Sequence, residues 1–320
     1  MLERFTELAG GLDHPEGVAF GPDELVYAGG EAGQLYAISL DGQVEQRATT
    51  GGFLYGVTLD GDGNVYACDF VNANVARISP DGAVTAYSSG TDERPMRAPN
   101  FAAFDDEGNL YVTDSGDWGA DDGVVFRVSP SGETATWTHA HPSFPNGCCL
   151  SADGDSLLLV ESRARRVVRI RIEDDGSAGR SELVVDLAGA QPDGIALASD
   201  GTLFVGCYRP DRIFRVVPDG GIEVWADDPD GVVLNQPANI AFVGPKLDRL
   251  VASSLGGWSL MVADPGVTAC RSATPSFARA GSRRGRSPGA ARRTTSTAAP
   301  PPTASGAWRG RAGASSRRRT

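Results

Sequence analysis

Nothing in this chain repeats with the three-to-four-residue apolar spacing of an amphipathic helix, so an α-helical fold is excluded at the outset. No apolar run approaches the roughly 20 residues that span a bilayer as a helix. The N-terminus, Met1-Leu2-Glu3-Arg4, lacks the basic start and apolar core of an export signal. The five cysteines (68, 148, 149, 207 and 270) form no C-x-x-C pair, and their number is odd. Together these absences lead us to expect a protein of the reducing cytoplasm with no membrane partner. G-x-S-x-G, the phosphate-binding loop and H-E-x-x-H are also missing, which argues against a serine hydrolase, a nucleotide enzyme or a zincin. Acidic residues are absent from one segment only: residues 271–320 hold 12 Arg and no Asp or Glu. The remainder therefore carries 17 basic against 41 acidic residues, net −24, a balance that repels nucleic acid from the folded part.

What is present is a hairpin written six times. A polar or aromatic residue precedes a short apolar run, a Gly/Asp turn and a second apolar run. The leading residues are Glu16, Tyr55, Asn100, Asn146, Asp193 and Asn239, spaced by 39, 45, 46, 47 and 46 residues. A second series, Gly30, Asp69, Asp114, Glu161, Cys207 and Ser253, follows 14 residues later, or 15 in the fourth copy. Runs such as Val65-Tyr66-Ala67 and Leu203-Phe204-Val205 read as strands, and each copy continues into a third and fourth. Four strands in about 45 residues make the blade of a propeller, so the expected fold is all-β, a six-bladed β-propeller over residues 1–268. The sixth copy supplies only three strands. Arg4 to Leu8 resembles the missing fourth and is expected to close the ring. Residues 269–320, rich in Arg, Ala, Ser and Pro, cannot build a core and are expected to be a disordered tail. The abrupt change after Pro265-Gly266-Val267 has the character of a reading-frame change.

In a propeller the first strands line the channel, and the constant offset places both series around one mouth. The inner ring then offers two carboxylates and three amide oxygens, a set that suits a hard divalent cation. We expect one ion, Ca²⁺ first, with Mg²⁺, Mn²⁺ or Zn²⁺ as alternatives. Asp69, Asp114 and Glu161 are second-shell candidates. The loop Ser115 to Gly123 and the aromatics Trp118, Tyr208 and Trp258 would wall the mouth.

The phrases His14-Pro15-Glu16-Gly17, Phe144-Pro145-Asn146-Gly147 and Gln191-Pro192-Asp193-Gly194 resemble the metal motifs of the SMP-30/gluconolactonase/LRE family, over residues 1 to about 266. The resemblance implies Glu16, Asn146 and Asp193 as ligands and Asn100 beside the substrate. One departure is clear: family lactonases often carry Arg-x-Asn-Asp in the third blade, where this chain has Arg97-Ala98-Pro99-Asn100-Phe101. The expected activity is metal-dependent hydrolysis of lactones, sugar-derived or related. Asp193 is the expected general base, with Glu16 second, and Asn100, Tyr55, Trp118 and Asn239 are the expected substrate contacts. The alternative is a non-catalytic ligand- or partner-binding propeller with a structural metal.

Overall fold

A computed structural model describes residues 2–269. Six four-stranded antiparallel sheets follow one another along the chain. The turns inside each sheet show why these sequences make tight hairpins. In the second blade Asp60 Oδ1 accepts from the amides of Asp62 and Asn64, both at 2.9 Å, and Gly63 takes the positive φ of 82° that the turn requires. The third blade repeats the device with Asp105, Glu107 and Asn109.

The first strands are Val18–Phe20, Leu54–Leu59, Pro99–Phe104, Pro145–Leu150, Gln191–Leu197 and Pro237–Val243. Each packs against the first strands of both neighbouring blades, so the six form a closed ring around a channel. Apolar layers between blades hold the ring together. Tyr66 of the second blade meets Tyr87 and Phe104 edge-on at 4.9 Å, within a cluster that includes buried Phe126 and Val112.

The ring closes as expected, with one shift. The N-terminal strand is Thr6–Gly10 and pairs antiparallel with Ser259–Ala263, giving the sixth sheet its fourth strand. It starts two residues later than Arg4 because Leu2–Arg4 forms a 3₁₀ turn and Phe5 is buried edge-on against Trp225 at 5.3 Å. The hydrophobic anchor, not the strand, takes the first position. From residue 270 onward the anticipated tail lies outside the described residues.

Candidate metal centre at the mouth of the channel

In five blades the leading residue sits inside the first strand, at a break in its pairing. Register shifts fall between Leu54 and Val57, Pro99 and Phe101, Pro145 and Cys148, Pro192 and Ile195, and Pro237 and Ile240. A bulge re-aims the side chain it carries. The sequence prepares it, since a proline precedes Asn100, Asn146 and Asp193 and donates no N–H to the ladder. A glycine follows Glu16, Tyr55, Asn146 and Asp193 because the next blade approaches closely. A Cβ on Gly17 would stand 2.0 Å from the Tyr55 carbonyl oxygen, and one on Gly147 2.4 Å from that of Asp193.

Serine hydroxyls tie the blades at the same level. Ser115 donates to Pro145 O (2.7 Å), Ser162 to Pro192 O (2.7 Å) and Ser253 to Glu16 O (2.6 Å). The ties made by Ser115 and Ser162 were not expected from the sequence. Their signal is the pair Asp114-Ser115 and Glu161-Ser162, in which the serine, one residue past the acid, reaches the neighbouring blade.

Five of the six inner-ring residues are buried, and Tyr55 is half-buried. Glu16, Asn100, Asn146, Asp193 and Asn239 are each at most 4 % exposed. Oδ1 of Asn100, Asn146, Asp193 and Asn239 has no hydrogen-bond partner. An unpaired buried polar atom costs about 1–3 kcal/mol, so several in one ring imply a ligand that pairs them. The Asn146 amide is oriented by chemistry: Ser162 spends its proton on Pro192 O and can only accept, so Asn146 Nδ2 faces it at 3.2 Å and Oδ1 is left for the ligand.

Glu16 and Asp193 are close enough to repel. Burial and then the Asp193 charge push the Glu16 carboxyl well above its ordinary range. Burial raises Asp193 to about 7, against the hydrogen bond from Asn146. The phenols of Tyr55 and Tyr208 are raised by burial and then by this carboxylate pair. Two carboxylates and several unpartnered amide oxygens, converging without a cationic side chain in the ring, fit a divalent cation.

The second series stands at the same end, where Asp69 pairs with Leu54, Asp114 with Pro99 and Glu161 with Pro145. Its carboxylates, however, brace the loops. Asp69 accepts from the amide and side chain of Asn72. Asp114 accepts from the amides of Arg97 (2.6 Å) and Ala98 (3.1 Å), just ahead of Asn100. Glu161 binds His141 (3.1 Å) and Arg166 (2.7 Å); burial opposes its ionisation, but these two bonds hold it below the usual range. The ring side chain Asn146 donates instead to Ser162.

Aromatic rings frame the mouth. Phe70 stacks on Tyr55 at 4.9 Å, and Phe53 meets the same ring edge-on at 4.7 Å. Trp118 lies edge-on to Phe144 at 4.7 Å, and Trp258 to His14 at 5.9 Å. Trp118 and Trp258 remain 43 % and 62 % exposed, open to a ligand. Three arginines nearby are engaged: Arg97 pairs with Asp122, Arg94 donates to Asp122 O, and Arg163 to Ala120 O, all fastening the loop 115–123. At the opposite end a cavity of about 630 Å³ is lined by Val18, Thr58, Ala103, Cys149, Ala196 and Ala241, among others. It includes none of the six ring residues and carries no comparable set of ligating groups.

Residues 83–256 match the family model described as SMP-30/Gluconolactonase/LRE-like region. The chain is 33 % identical over 171 residues to lactonase drp35 of Staphylococcus aureus, covering 49 % of this chain and 52 % of that protein. It is 30 % identical over 166 residues to the strictosidine synthase-like 3 protein of Arabidopsis thaliana, covering 48 % and 42 %. The chain thus spans about half the length of the curated relatives it matches. Its fold resembles a gluconolactonase from Xanthomonas campestris (TM-score 0.71, 17 % identity, 82 % of this chain and 89 % of that one). It also resembles regucalcin, a calcium-binding protein of Agrobacterium tumefaciens (TM-score 0.67, 18 % identity, 80 % and 91 %).

Proposed function

The chain belongs to the SMP-30/Gluconolactonase/LRE-like family, and on that basis we propose that it is a metal-dependent lactone hydrolase. The observation that carries the proposal is the buried pair Glu16 and Asp193, set among unpartnered amide oxygens at the channel mouth. Glu16, Asn146 and Asp193 would hold one divalent cation, Ca²⁺ by the all-oxygen chemistry of the set. A cation there supplies polarisation of the lactone carbonyl and stabilises the negative charge that develops on its oxygen.

The chain's own groups do the rest. Asp193 takes a proton from water as the water oxygen bonds to the carbonyl carbon. The ring C–O bond breaks, and Asp193 returns the proton to the departing oxygen, giving the hydroxy acid. Asn100 and Tyr55 bind and orient the substrate, and Trp118 stacks on its ring.

Hydrolysis of a lactone panel, by chelated protein and by protein refilled with Ca²⁺, Mn²⁺, Mg²⁺ or Zn²⁺, tests the reading. Turnover restored by metal is the expected result. Folded, metal-loaded protein that turns over no lactone would favour a ligand-binding propeller instead. Ser162→Ala should weaken the cation about 10–100-fold by freeing the Asn146 amide to rotate, an effect that calorimetric titration would read. Trp118→Ala should raise KM for ring-bearing substrates with little change in kcat, in steady-state kinetics.

A further inference from the structure

Among the described residues, Asn239 is the one side chain whose two polar atoms, Oδ1 and Nδ2, are both buried and both unpartnered. The residue is completely buried. Its backbone is fixed on both sides by one hydroxyl, since the Asn239 amide donates to Ser253 Oγ at 3.0 Å and Ser253 Oγ lies 3.1 Å from Asn239 O. The same Ser253 hydroxyl bonds Glu16 O, so the sixth blade is latched to the first at the level of the ring. On the other side Asn239 meets the fifth blade: a Cβ on Gly194 would stand 2.5 Å from Asn239 Oδ1. The glycine after Asp193 thus makes room for this amide. Around the ring, Asn239 falls between Asp193 and Glu16, the two carboxylates that need a cation most.

Among the described residues, nothing claims the amide. Asn146 has Ser162 to hold its nitrogen, whereas Asn239 has no such partner and costs stability at both ends. A residue kept polar, fully buried and adjacent to two repelling carboxylates is explained by an ion that takes its oxygen. We infer that Asn239 is a further ligand of the channel cation, contributed by the sixth blade, in addition to Glu16, Asn146 and Asp193. This rests on the proposal that a cation occupies the ring. Another protein oxygen favours Ca²⁺, which takes six to eight oxygen ligands, over Mg²⁺, which keeps several waters. The amide nitrogen remains as a donor for a substrate oxygen.

The test is calorimetric titration of Ca²⁺ and Mg²⁺ into the metal-free parent, Asn239→Leu and Asn239→Asp at pH 8, with melting temperatures of the metal-free proteins. Asn239→Leu should weaken Ca²⁺ about tenfold or more and Mg²⁺ less, lowering the preference for Ca²⁺. Its metal-free melting temperature should not fall, because two unpaired polar atoms are removed. Asn239→Asp should bind Ca²⁺ at least as tightly as the parent. Ca²⁺ affinity of Asn239→Leu within twofold of the parent would overturn the inference and leave the cation site standing. If Asn239→Leu also loses metal-free stability, Asn239→Asp decides: retained binding supports the assignment, and lost binding overturns it. A parent that takes up no cation would remove the underlying reading, and this one with it.

Discussion

Asp193→Asn is expected to abolish lactone turnover, by on the order of 10³-fold, while making the metal-free protein more stable at pH 8 than its parent. The two effects have one cause. Asp193 is buried beside Glu16, and burial raises its carboxyl to about 7. At pH 8 the parent must ionise a carboxylate in a site that disfavours it, a cost of a few kcal/mol by linkage. Asparagine keeps the shape and removes the charge. It also removes the proton acceptor, a role worth roughly 10²–10⁴-fold, and one charged cation ligand. Kinetics and thermal melts of the same protein read both signs. A variant that loses activity and stability together would point to a scaffold role, and one that keeps full turnover would end the assignment of Asp193 as base.

The second large effect is in pH. Glu16 and Asp193 have folded-state pKa values above those of the unfolded chain. Between the unfolded and folded values the native state therefore binds more protons than the unfolded state. Stability of the metal-free protein then falls as pH rises from about 4 through about 7. A cation reverses this, because it pairs the charges that burial penalises and must displace the protons to do so. Added Ca²⁺ should give little thermal stabilisation at pH 5 and much more at pH 8. Near pH 6 its binding should release protons, detectable as heats that differ between buffers of different ionisation enthalpy. A stabilisation independent of pH would place the ion away from these carboxylates.

The architecture was legible because a propeller repeats its grammar. Six polar leaders at nearly constant spacing, each followed by an apolar run and an Asp-Gly-type turn, specify blades and channel before any contact is known. The closing strand was legible in kind but two residues off, because strand alternation does not reveal that Phe5 will seek Trp225. The inner ring was legible for the same reason as the blades. The hydrogen-bond partners of the second series were not, since an acid at a strand end looks the same whether it faces a ring side chain or holds the amides of Arg97 and Ala98. The ties made by Ser115 and Ser162 escaped notice because their partners are carbonyl oxygens of the next blade, about 30 residues away in sequence, and no side-chain pattern encodes a carbonyl. Phe53 and Phe70 were hidden similarly: their meaning comes from stacking on Tyr55 across a bend of the chain.

The most direct test of the account is an activity titration. Metal-free protein receives Ca²⁺ or Mn²⁺ in steps, with hydrolysis of a responsive lactone and bound metal measured in the same samples. The account predicts turnover that rises in proportion to bound metal and levels off at one ion per chain, with none in the chelated protein. Full hydrolysis without metal, or one tightly bound ion with no turnover of any lactone tried, would contradict it.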